Sequence, residues 1–248
     1  MKTLKSTEVK FEFEISYADE NGGIPVIIVA AGNYTRMNGI NKQLLTLNGI
    51  PVIARTLLAF EKSRYISRII LVTREEDIFT MQLLAEEYSV SKLTDIVKGG
   101  KNRQESVLSG LNMLGDEAKV LIQDGARPFV TEEIIKNVAE NLNEYKAVTC
   151  GIKVKDTIKK LNPDGTVLET LNREELFAVQ TPQGVTVPEY RAAIESQADL
   201  SVFTDDMSIM EAAGHVVKCV EGSYNNIKIT TPEDIIIAEN ILKKSEQE

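Results

Sequence analysis

The sequence predicts a doubly wound α/β domain built on a mostly parallel sheet. Two observations carry that expectation. Short apolar runs rich in β-branched residues recur as "PVIIVAA" from Pro25, "RIILVT" from Arg68 and "KVLIQD" from Lys119, the pattern of strands covered on both faces. Segments with apolar residues at helical spacing lie between them, so strand and helix alternate as in βαβ units. A third observation fixes the domain count. The 248 residues, 43% apolar and 26% charged, can bury a substantial core. With no internal repeat and no low-complexity linker, the chain reads as one domain.

The elements follow in order. Residues 1–24 form an N-terminal extension, in which "VKFEFEIS" alternates like an edge strand and "YADENGG" reads as a loop; no chemistry is expected there. The domain proper spans 25–248. In "VIARTLLAF", Ile53, Leu57, Leu58 and Phe60 make one helical stripe. Ile134, Ile135, Val138 and Leu142 make another, with Thr131 as N-cap. The segment from about 151 to 183 breaks the alternation. It holds two strand-like stretches around Asn162-Pro163-Asp164-Gly165, a strong turn signal, and so predicts an inserted charged hairpin that projects as a lid or as an arm onto a partner. Thr231, Pro232 and the acids after them mark the start of a last helix.

Composition excludes several function classes. A net charge of −9 argues against a partner that is nucleic acid or an anionic membrane, since both need a basic face; a local basic pocket for a small anion stays compatible with it. Cys150 and Cys219 are far apart and form no CxxC, so they read as reduced thiols of a cytoplasmic protein rather than a zinc site or disulfide framework. No run reaches membrane-spanning length, and "MKTLK" lacks the apolar core of a signal peptide. His215 is the single histidine, without a GxSxG elbow, which leaves no Ser-His-Asp triad and no histidine-based metal site.

Three loops carry residues suited to anion chemistry. Ala30-Ala31-Gly32 ends the first strand and is followed by Arg36 and Lys42; backbone N–H groups in a small-residue turn approach an anion closely, and two cations add charge. Neither a Walker loop nor a GxGxxG fingerprint is present. In "KGGKNRQESVLSGL", Gly99-Gly100 precedes a helix opened by Arg103. This is either an ordinary turn with an exposed arginine or a backbone surface for reading a base. In "LIQDGARPF", Asp124 ends a strand beside Gly125, Ala126 and Arg127. It suits a ribose hydroxyl, a substrate hydroxyl, a metal, or a local ion pair with Arg127.

Taken together, "AAGNYTRM…NKQ", "GGKNRQESV", "DGARPF", "VKDT", "TPQ", "TDD" and "NIKITTPED" resemble the 2-C-methyl-D-erythritol 4-phosphate cytidylyltransferases in order and rough spacing, from about Pro25 to Leu242. The ribitol-5-phosphate cytidylyltransferases are similar in the same places. Two departures are Asn41, where the family often has proline, and the extension 1–24. The resemblance implies a Rossmann-like nucleotidyltransferase fold whose inserted β-hairpin is a dimerisation arm. It implies CMP transfer from CTP to a sugar-alcohol phosphate, with methylerythritol phosphate favoured over ribitol phosphate; the non-enzymatic alternative is a module that only binds CTP or a CDP-alcohol. Arg36 and Lys42 match the catalytic cations. Ala30, Ala31, Gly32, Gly100, Lys101, Ser106, Asp124, Ala126 and Lys228 match nucleotide contacts. Asp124, Arg127, Thr181, Thr204 and Lys228 match acceptor contacts, joined by Thr157 and Arg173 from the neighbouring subunit's arm. Mg²⁺ is implied as a cofactor held mainly by the CTP phosphates, with no dedicated protein ligand set.

Overall fold

The computed structural model describes residues 22–32 and 41–245. Arg36 and the alternating stretch of the N-terminal extension lie outside the described residues. A seven-stranded sheet organises the chain. Its strands are β1 (Ile24–Val29), β4 (Ile66–Thr73), β5 (Leu93–Lys98), β6 (Lys119–Asp124), β7 (Ala147–Lys153), β10 (Phe177–Thr186) and β11 (Val217–Glu221). They lie in the order β11-β7-β10-β6-β1-β4-β5. Every neighbouring pair is parallel except those of β10, which runs antiparallel to both β6 and β7. The expected mostly parallel sheet is therefore present.

Strand alternation explains why it is wound on both faces. Val26, Ile28 and Ala30 join one core cluster and Ile27 the other; Ile69 and Leu71 part from Ile70 and Val72 in the same way. A side-chain period of two sends successive residues to opposite faces, and both faces are apolar here because both are covered. Helices α1 (Val52–Glu61), α2 (Ile78–Glu87) and α4 (Glu132–Asn141) cover one face. The other carries α3 (Arg103–Leu111), α5 (Val187–Glu195) and α6 (Asp206–Ala212). Ile53, Leu57 and Phe60 are buried as the stripe predicted, while Leu58 is only half-buried. Thr131 caps α4 by accepting from the N–H of Ile134. Truncating a fully buried strand residue such as Ile27 would cost about 2–5 kcal/mol, lost transfer energy and cavity together.

The last helix, α7 (Pro232–Ser245), packs on a small ladder of β2 (Thr46–Leu47) and β3 (Ile50–Pro51). Asp234 reaches back to accept from the N–H of Thr231 at 2.8 Å, half of a capping box at the predicted helix start. Among the described residues, no helix is long and apolar enough to cross a membrane.

The hairpin exists, β8 (Lys159–Leu161) against β9 (Val167–Thr170), closed through the predicted turn by Asn162 and Thr166. Its boundaries differ from the sequence reading. Gly151–Lys153 still belongs to β7 and pairs with Phe177–Val179 of β10, so only 154–176 leaves the sheet. The sequence blurs this edge because charged residues begin inside β7 while the ladder continues. The hairpin is also less uniformly polar than expected, with Leu161, Val167 and Leu168 each more than half exposed.

Candidate active site

The sheet's topology places the site. β1 lies between β4 and β6, so the loops after β1 and β6 diverge at a switch point, and ligands bind outside the carboxyl ends of such strands. Val29 and Asp124 are in register there.

On one side two loops meet tightly. A Cβ on Gly99 would fall 2.3 Å from the Ala31 Cβ and 2.8 Å from the Ser106 Oγ, so any larger residue would push the loops apart. Ser106 is buried, accepts from the N–H of Gly100 at 3.1 Å and donates to the Asn102 carbonyl at 2.8 Å. It is thus a brace of the glycine turn. Asn102 caps α3, and Glu105 accepts from the N–H of Lys101. Gly100 and Lys101 are both exposed on this braced turn.

On the other side lies a buried charge cluster. The Asp124 carboxylate meets the Lys228 Nζ at 2.8 Å, the Arg103 Nε at 3.4 Å and the Arg127 Nε at 3.7 Å. Burial alone would raise its pKa; Lys228, Arg103 and Arg127 outweigh burial and hold the carboxyl well below the ordinary carboxylate range. Arg103 also pairs with the fully buried Asp206 at 2.7 Å. The Tyr190 hydroxyl donates to Asp206 at 2.7 Å. Burial and the nearby Asp206 push that hydroxyl well above its usual pKa, so it stays a donor. Three cations and two carboxylates leave one net positive charge in this cluster, against −9 for the whole chain. Among the described residues, the Arg103 Nη1 and Arg127 Nε are buried donors without a hydrogen-bond partner, which suits them to an incoming anion. Above this floor opens a cleft of about 460 Å³, with Thr181, Thr204 and Asp205 in its walls. Lys42 stands beside it, its Nζ donating to the Ile229 carbonyl at 3.0 Å.

The family model for 2-C-methyl-D-erythritol 4-phosphate cytidylyltransferase matches residues 24–244. The chain belongs to that family. A Clostridium novyi protein bearing the family's name is 47% identical over 88% of this chain and 95% of its own length. A second, from Halalkalibacterium halodurans, is 45% identical over 90% and 98%. Among solved structures, a 4-diphosphocytidyl-2C-methyl-D-erythritol synthase from Anaerococcus prevotii superposes with a TM-score of 0.80 at 34% identity, covering 89% of this chain and 96% of that one. The cytidylyltransferase of Thermus thermophilus gives 0.70 at 28%, over 89% and 99%.

Set on the cytidylyltransferase fold, the predicted residues divide into three groups. Asp124, Arg127, Thr181, Thr204 and Lys228 line one cleft. Ala30, Ala31, Gly32, Gly100, Lys101 and Ser106 form the loop pair at the carboxyl edges of β1 and β5, and Ala126 receives the N–H of Ile229. Thr157 and Arg173 are exposed on the projecting hairpin, where Arg173 donates to the Lys155 carbonyl at 3.0 Å. The departure at Asn41 has a local account: its side chain accepts from the N–H of Gln43 at 3.0 Å, an Asx turn that shapes the backbone around Lys42 without proline's fixed φ.

The sequence reading missed the Arg103–Asp206–Tyr190 network. Arg103 is not an exposed helix opener, because Asp206 and Asp124 neutralise it from two sides. No local signal could have paired residues 103 positions apart. The suspected Asp124–Arg127 pair does exist, but Lys228 is the closer partner. His215 sits in the turn after α6, its N–H donating to the Met210 carbonyl. Both cysteines are free; Cys150 is buried, which pushes its thiol up to about 12, whereas Cys219 is exposed at the cleft.

Proposed function

We propose that this chain transfers CMP from CTP to 2-C-methyl-D-erythritol 4-phosphate, giving CDP-methylerythritol and pyrophosphate. The observation that carries the reading is the cationic floor around Asp124, set beside a small-residue loop at the sheet's switch point. Family membership favours turnover over a purely binding role, and the relatives' names favour methylerythritol phosphate over ribitol phosphate.

The acceptor's phosphate oxygen attacks the α-phosphorus of CTP. A new P–O bond forms, the bond to the bridging oxygen breaks, and pyrophosphate leaves. Both reactants are anions, so repulsion and orientation are the main obstacles, and no protein nucleophile is needed. Lys42 and Arg36 stabilise charge on the pentacoordinate α-phosphate and the leaving group. Lys228, oriented by Asp124, holds the acceptor phosphate together with Arg127, Thr181 and Thr204. The Ala30–Gly32 backbone, the Gly100 turn braced by Ser106, Lys101 and Ala126 take the nucleotide. Among the described residues no group of three or more His, Cys, Asp or Glu side chains could hold a metal. A magnesium ion would be held mainly by the triphosphate itself, since the Asp124 carboxylate is already engaged by three cations. When bound, it neutralises triphosphate charge.

Thr157 and Arg173 lie outside their own chain's cleft lining, which supports a homodimer in which each arm serves the partner's cleft. The exposed Leu161, Val167 and Leu168 give that arm an apolar surface to bury. A reaction drawing on CTP suits the cytoplasm. Pyrophosphate release with CTP and a panel of acceptors tests the proposal. Release is expected with methylerythritol phosphate; turnover of ribitol 5-phosphate alone, or of neither, would overturn it.

A further inference from the structure

The hairpin is not fastened to the core by the sheet alone. Where it leaves the sheet, the Tyr224 hydroxyl donates to the Lys153 carbonyl at 2.8 Å. The Lys155 ammonium stands 3.6 Å over the Tyr224 ring, where the ring's negative face attracts a cation. The Lys155 carbonyl in turn accepts from the Arg173 guanidinium at 3.0 Å. Tyr224 thus grips both the root of the hairpin and the residue that orients Arg173.

Tyr224 belongs to the segment that runs on to Lys228, and that segment is tied down link by link. The N–H of Gly222 donates to the Gly151 carbonyl at 2.6 Å. A Cβ on Gly222 would lie 2.5 Å from the Gln180 Oε1 and 2.9 Å from that same carbonyl, so only glycine lets the segment pass this close to β7. Gln180 donates to the Ser223 carbonyl at 2.8 Å, and the Asn226 carbonyl accepts from Arg127 at 2.8 Å. Two residues on, Lys228 pairs with Asp124.

We infer that Tyr224 is a positioning residue that sets the arm's direction from the same segment that carries Lys228. The inference rests on the shared-site reading above. On that reading, Lys228 serves the chain's own cleft while Arg173 serves the partner's. Tyr224 then links the acceptor-holding groups of two different sites, and a shift at one cleft is passed to the arm completing the other.

Subunit mixing tests this at a site whose core is untouched. One chain carries Lys42→Ala, disabling its core but keeping its arm; the other carries Arg173→Ala, disabling its arm but keeping its core. In the mixed dimer one site joins the intact core to the intact arm. Tyr224→Ala is then added to the arm-donating chain only, with exchange verified by mass. The working site is expected to lose roughly tenfold in kcat, the scale of a modest misplacement of a substrate-positioning group, with its KM for CTP unchanged. Tyr224→Phe keeps the ring under Lys155 and loses one hydrogen bond, so about a threefold loss is expected. It also carries the test if the alanine chain fails to exchange. Unchanged activity with both Tyr224 variants would overturn the inference and leave the shared-site reading standing. If mixing restores no activity even with Tyr224 intact, the shared-site reading falls and the inference with it.

Discussion

The cleft floor and the arm are opposite solutions for placing polar groups. In the floor every charged group is held by its own chain: Asp124 by three cations, and Arg103 by Asp206, itself bound by Tyr190. In the arm nearly every side chain from Lys155 to Glu175 is exposed, and among the described residues Arg173 bonds a backbone carbonyl and pairs with its neighbour Glu174. The floor is preorganised by folding. On the proposed shared-site reading, the arm acquires its chemistry only when a partner meets it. The two regions should therefore respond in opposite ways to substitution, the floor in stability and the arm in activity alone.

Asp206→Ala should give the largest effect. It leaves Arg103 partly uncompensated in a buried site, a loss of about 3–5 kcal/mol. Urea unfolding would report it, and a midpoint close to wild type would mean that Asp206 does not hold the floor together. Next, Lys42→Ala should lower kcat by roughly 10²–10³-fold with little change in CTP affinity, because its charge matters most in the transition state. A normal kcat with a raised KM for CTP would recast Lys42 as a ground-state contact.

Arg173→Ala sharpens the contrast. Its stability should stay within about 0.5 kcal/mol of wild type, as for most surface changes, while kcat/KM for the acceptor falls by roughly 10–100-fold. If stability and activity fall together, Arg173 belongs to the fold. The smallest effect concerns pH. Asp124 is held below its ordinary pKa, so its contribution to stability is present above the usual carboxylate range and is lost as pH falls below about 4 toward the folded value. Asp124→Asn should flatten that acid limb in denaturant midpoints taken across pH. An unaltered limb would show that other carboxylates dominate acid unfolding.

Much of the fold was legible because its strands are continuous apolar runs and its helices repeat at clear spacing. Leu121 and Ile122 on β6 and Ile134 and Val138 on α4 occupy the core their pattern predicted. The hairpin was visible through Asn162–Gly165 but not its edges, since the ladder between Lys153 and Phe177 continues under a charged sequence. In the candidate site, Asp124 stood out by its place at the end of an apolar strand, whereas Lys228 was singled out only by the order of motifs. Arg103–Asp206 and the Tyr224 grip on the hairpin root stayed hidden because each joins segments far apart in the chain, the first by the meeting of α3 and α6 and the second by the pairing of β11 with β7.

The central claim is that a complete site takes its floor from one chain and its arm from another. Mixing Lys42→Ala chains with Arg173→Ala chains tests it most directly. After random exchange of equal amounts, half of the dimers are mixed and each holds one intact site, so activity should rise to about a quarter of the wild-type value. If exchange is complete and activity stays at the level of the separate variants, the arm acts on its own chain and the shared site does not exist.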